Sequence, residues 1–86
     1  ISLDGKVHDP NRIDFTARYL GQLKKACDDA DIRGYFHWSL MDNFEWSKGY
    51  SERFGMIYVD YRTQERILKD SAYWYKNIIE TNGQEL

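Results

Sequence analysis

Glu45 and Trp46 stand side by side in a stretch rich in other candidate binding groups: Trp38, Asp42, Asn43 and Phe54. A carboxylate can accept hydrogen bonds from two neighbouring hydroxyls, and an indole N–H adds a donor beside it. Aromatic rings cover the C–H faces of a sugar while such polar groups hold its hydroxyls. This combination suits a flat, polyhydroxylated ligand. The plainer alternative is a solvated glutamate next to a core tryptophan, and the spacing alone leaves both readings open. Trp38 could be a stacking platform or simply core, and its pattern favours core; the same holds for Phe54. Asp42 and Asn43 are turn formers by type, and Asn43 could also orient Glu45.

Other chemistries find little support. His37 sits within an apolar run, where a satisfied core histidine is the expected role, and His8 lies in a loop with no partner in view. The sequence has no metal-ligand spacing, no glycine loop to cradle phosphate and no serine–histidine–acid pattern. Glycoside hydrolysis requires two carboxylates set across the scissile bond. Glu45 is one good candidate, and no second is evident. On the residues alone, this is a sugar-binding segment without a complete catalytic set.

The elements that must position these groups follow from periodicity. Tyr35 to Leu40 is almost unbroken apolar sequence and reads as a strand buried on both faces, with chemistry on the segment after it. Residues 41–53 lack a sustained period and form a long connection, which usually signals function. Upstream, Asp9-Pro10 marks a helix start. Ile13, Ala17, Leu20, Leu23 and Cys27 then recur at helical spacing, so residues 10–30 are expected to be helical, ending at Asp28-Asp29-Ala30-Asp31. Downstream, Phe54 to Tyr61 alternates like a second short strand. Arg62 to Arg66 reads as a polar turn, and a helix is expected over residues 70–81, capped by Asp70 or Ser71 and stopped by Asn82-Gly83. Its apolar face would combine Ala72, Tyr75 and Ile79, with Trp74 and Ile78 alongside. A strand buried on both faces needs neighbours, and this chain offers at most one. Tyr35–Leu40 is therefore expected to complete a sheet whose other strands lie elsewhere, or to associate with a second copy.

The bulk properties bound the answer. With 86 residues there is room for one small domain. Hydrophobic residues at 42% and charged residues at 30% make the chain globular, and aromatics reach 16%. A net charge of −2 with mixed signs excludes the basic stripe of a nucleic-acid binder. One cysteine excludes an internal disulfide. No apolar stretch is long enough to span a bilayer, and no leader pattern is evident, so a cytoplasmic location is the expectation. The opening Ile-Ser-Leu-Asp-Gly-Lys reads like the middle of a loop, as in a piece of a longer protein.

The segments WSLMDNFEW (38–46), GYSERFGMIYVDY (49–61) and KDSAYWYK (69–76) closely resemble the C-terminal end of glycoside hydrolase family 1, with the bacterial β-glucosidases as the nearest group. DPNRIDF (9–15) and ETNG (80–83) resemble the same family. The resemblance implies an α/β fold: the C-terminal portion of a (β/α)8 barrel, incomplete on its own. Residues 10–30 would be helix 7, 33–40 strand 8, 41–55 the active-site loop and 70–81 helix 8. It further implies that Glu45 and Trp46 bind hydroxyls of the non-reducing sugar, that Trp38 is the platform beneath it, and that Phe54 lines the same pocket. Keeping Asn43-Phe44-Glu45-Trp46 favours unphosphorylated glucosides or galactosides. No cofactor and no metal are implied. The partners would be the sugar and the remainder of the barrel, in the same or another chain. The family's two catalytic glutamates match no position here: the nucleophile motif would lie before residue 1, the acid/base glutamate farther upstream, and Glu80-Thr81-Asn82-Gly83 is a different order in a helix end. The 86-residue chain alone is therefore expected to be inactive.

Overall fold

The computed structural model describes residues 1–84 and 86. Two helices and a small hairpin make up its regular structure: α1 (Pro10–Ala26), β1 (Ile57–Val59), β2 (Arg66–Leu68) and α2 (Asp70–Glu80). α1 places Pro10 in its first turn, where a missing N–H costs nothing. It ends at Ala26, short of the expected residue 30. Lys24 and Lys25 in its last turn suit the negative end of the helix dipole, whereas Asp28 and Asp29 oppose it, so the helix stops before them. Leu20 is buried, but Cys27 is exposed rather than part of the apolar face.

α2 matches its expected span to within a residue. Its end is set as the sequence indicates: Asn82 and Gly83 take positive φ values of 52° and 76°, and the Gly83 N–H returns to the Ile78 carbonyl at 2.9 Å. Ile78 rather than Ile79 is the buried residue facing inward, and Ile79 is exposed. The expected caps are also exchanged. Neither Asp70 nor Ser71 caps α2, and Asp9 does not cap α1. Instead the Asp9 carboxylate crosses to α2, accepting from the Ser71 N–H at 2.8 Å and its hydroxyl at 2.6 Å. One carboxylate thereby ties the starts of both helices together.

β1 and β2 pair antiparallel, with Tyr58 opposite Ile67. The strand expected over 54–61 is thus three residues long, and its partner lies partly in the stretch read as a polar turn. Gln64, at φ 64°, makes the tight return, and the Asp60 N–H reaches the Glu65 carbonyl at 2.9 Å.

Tyr35–Leu40 corrects the main expectation. It is neither a regular strand nor buried on both faces. It keeps strand-like alternation: Tyr35 and His37 pack on Tyr75 of α2, with ring centroids 6.3 and 5.7 Å away, and Ser39 is buried. Phe36, Trp38 and Leu40 point the other way and are exposed, Phe36 fully so at 99%. A ladder requires neighbours, and among the described residues only the end of the segment finds any. Ser39 donates to Phe54 O at 3.3 Å, and Leu40 O accepts from Met56 and Ile57 at 3.0 and 2.9 Å. The segment has the side-chain order of a strand without the partners that would make it one.

Candidate sugar-binding site

Trp38 and Glu45 are brought together. The Trp38 indole N–H donates to both carboxylate oxygens of Glu45, at 3.2 and 3.3 Å. The peptide between Trp38 and Ser39 is cis. Glu45 itself is buried, 7% exposed, while most of the Trp38 ring is open. The glutamate backbone is locked by a single 3₁₀ turn, Trp46–Lys48: its N–H donates to Gly49 O at 2.7 Å, and its carbonyl accepts from Lys48 at 2.9 Å. A carboxylate offers about four acceptor positions, and here one shared indole proton is the only side-chain donor among the described residues. The carboxylate thus meets the N–H edge of a largely exposed aromatic ring, and ligand hydroxyls could take its remaining acceptor positions.

Trp46 opens the turn with φ +46° and is 82% exposed, with no side-chain hydrogen bond among the described residues. Phe54 is just over one-third exposed, so it is not the core residue its type favours. Its carbonyl, held by Ser39 N–H and by Arg12 Nη1 at 3.1 Å, keeps it beside the Trp38–Ser39 peptide. Asn43 does not orient Glu45. Its amide donates to Met41 O at 2.7 Å and Ser39 Oγ at 3.3 Å, fixing the start of the loop.

The sequence reading missed the groups that close this loop at its base. Asp42, read as a turn former, has a fully buried side chain. Its Oδ1 accepts from Lys69 Nζ at 2.9 Å and from the Gly55 N–H at 3.1 Å, and its Oδ2 from Arg53 Nη1 at 2.9 Å. Burial pushes the Lys69 ammonium below its ordinary pKa, and Asp42 partly restores it. Burial also works against the Arg53 charge, but Asp42 with Tyr58 and Tyr61 outweighs it. Arg53 lies over both rings, 4.5 and 4.4 Å from their centroids. A charged residue at each end of an aromatic loop was the one available signal. Lys69, next to a helix start, carried none.

The two histidines divide. His37 shares a 2.9 Å hydrogen bond with Tyr35, and burial, aided by Arg12, lowers its pKa, so it is a neutral packing group. His8 has partners after all: Asp70 at 2.6 Å and Asp4 at 2.9 Å. No group of three or more metal-ligating side chains occurs among the described residues. Among the described residues, no helix is long and apolar enough to cross a membrane.

Known proteins resemble this chain closely in sequence and in fold. β-Glucosidase A of Thermotoga maritima is 57% identical over 86 residues, covering 99% of this chain and 19% of that protein. The 1,4-β-D-glucan glucohydrolase of Thermotoga neapolitana is 57% identical over 84 residues, and β-glucosidase 26 of Oryza sativa subsp. japonica 54% identical over 80. The solved family 1 β-glucosidase from Thermotoga maritima superposes with a TM-score of 0.94 over 96% of this chain, again 19% of its own. The chain thus spans about a fifth of the length of these Thermotoga relatives. The family model described as glycosyl hydrolase family 1 matches residues 2–84, and the chain belongs to that family.

Proposed function

We propose that this chain is the C-terminal, glycone-holding part of a retaining β-glucosidase acting on terminal β-linked glucosides or galactosides. One observation carries the reading: a buried Glu45 carboxylate shares a single indole proton and has acceptor capacity to spare beside the open ring of Trp38. In the bound state Trp38 is the platform under the sugar, Glu45 and Trp46 hold its hydroxyls, and Phe54 lines the pocket. Residues 10–30, 33–40 and 70–81 take the places of helix 7, strand 8 and helix 8 of a (β/α)8 barrel. The exposed row of Phe36, Trp38 and Leu40 favours this placement, because a barrel would cover it with its other strands. The two carboxyls that break the bond, about 5 Å apart in a retaining enzyme, belong to the rest of the barrel. No cofactor is needed.

The experiment compares two proteins on an aryl β-glucoside. One is the 86-residue chain alone; the other is a hybrid in which residues 1–86 replace the matching segment of the Thermotoga maritima β-glucosidase. The isolated chain has no activity and the hybrid hydrolyses the substrate. Activity of the chain alone, or a folded but inactive hybrid, defeats the reading.

A further inference from the structure

We propose that Asp42, with Lys69 and Arg53, is a positioning set that holds Glu45 beside the sugar; the inference rests on the function proposed above. The loop between Asp42 and Gly55 carries Glu45, Trp46 and Phe54. Its two ends meet at one carboxylate, whose Oδ1 takes the Gly55 N–H and Lys69 Nζ and whose Oδ2 takes Arg53 Nη1. Lys69 also donates to Arg53 O at 3.1 Å and Arg53 to Val59 O at 2.7 Å, so both cations reach back to backbone on the loop's closing arm and on β1. The Asp42 side chain is wholly buried and that of Lys69 nearly so, while the Arg53 side chain is 34% exposed, so Asp42 and Lys69 touch no ligand and act only through the loop.

Charge sets the order of importance. Asp42 is one negative group between two positive ones. Removing Lys69 leaves a neutral Asp42–Arg53 pair, whereas removing the Asp42 charge leaves a buried Lys69 cation without its counter-charge beside a partly exposed Arg53. Asp42→Asn is therefore the more damaging change and Lys69→Met the milder one. Met fills most of the lysine stem's volume and keeps the loop foldable.

The test uses the full-length hybrid and an aryl β-glucoside, with Asp42→Asn and Lys69→Met made alone and combined with Glu45→Ala. Folded protein is matched by near-UV circular dichroism. Asp42→Asn lowers kcat/KM roughly a hundredfold and Lys69→Met about tenfold, the scale of losing or weakening charged hydrogen bonds at the sugar. Because the set works through Glu45, neither change adds to Glu45→Ala: each double variant is no slower than Glu45→Ala alone. A merely structural role would leave the folded fraction's kcat/KM unmoved, or multiply the two losses, and either result overturns the inference. Should Asp42→Asn fail to fold, the Lys69→Met pair decides alone. An inactive unsubstituted hybrid overturns the proposed function and this inference with it. An active hybrid in which Glu45→Ala is impaired but Lys69→Met is unchanged overturns only this inference.

Discussion

Gly55→Ala puts one carbon where two backbone segments touch. A Cβ on Gly55 would overlap the Met41 carbonyl carbon and the Asp42 nitrogen, and would stand 2.6 Å from the Met41 Cα. Carbon atoms pack best at about 3.5–4.0 Å, so the segments must part by about 1 Å. The bonds that hold them together are Met56 N to Leu40 O at 3.0 Å, Ile57 N to Leu40 O at 2.9 Å and Asp42 N to Ile57 O at 3.0 Å, besides the Gly55 N–H on Asp42 at 3.1 Å. Another ångström carries each beyond hydrogen-bonding range. With about 1 kcal/mol for a neutral bond and about 2 for a charged one, the combined loss is about 3–5 kcal/mol. That is a large part of the 5–15 kcal/mol typical of a folded protein. Urea unfolding of the hybrid should show a lower midpoint with an unchanged slope, and kcat/KM should fall as Phe54 and Asp42 shift. Gly21→Ala is the control. Gly21 lies inside α1 with open space around it, and alanine there should stabilise by about 0.5–1 kcal/mol. If Gly55→Ala stays within about 0.5 kcal/mol of the unsubstituted protein, the ordinary range for surface changes, the close approach is refuted.

Asp9→Ala should destabilise by about 1–2 kcal/mol, since it frees the Ser71 N–H at the start of α2, while Asp9→Asn retains an acceptor there and costs less; urea unfolding decides. His8 gives a pH signature. Its contact with Asp70, and then that with Asp4, raise its pKa above 6.5, so the pairing stabilises fully below pH 6.5 and fades as pH rises through the raised folded value. Asp4, lowered from 3.8 first by its bond to His8, contributes above pH 3.8 and loses its contribution as pH falls through its folded value. The difference in Tm between the unsubstituted hybrid and His8→Gln should therefore be largest between these limits and shrink above pH 6.5. A difference independent of pH would refute the pairing.

The helices were legible because apolar spacing and end signals are local: Pro10 at one start and Asn82-Gly83 at one stop did what their types require. The hairpin was not, because Arg66–Leu68 carries strand character only through its pairing with β1. Tyr35–Leu40 was wrongly read as a strand buried on both faces, because apolar type alone does not supply the backbone partners, which among the described residues only Ser39 and Leu40 find. At the candidate site, residue types singled out Glu45 but favoured core for Trp38, and the contact between them required the fold. Asp42 and Lys69 stayed hidden for a related reason. An ion pair between side chains 27 positions apart leaves no periodic trace in a sequence.

The central claim is that Glu45 holds the sugar and does not break the bond. Glu45→Ala in the hybrid tests it most directly, with aryl β-glucoside hydrolysis measured in the absence and presence of azide. A holder that tightens on the distorted ring should cost about a hundredfold in kcat/KM, and azide should restore nothing, because no nucleophile or base has been lost. An unchanged kcat/KM, or abolished hydrolysis that azide rescues, would contradict the claim.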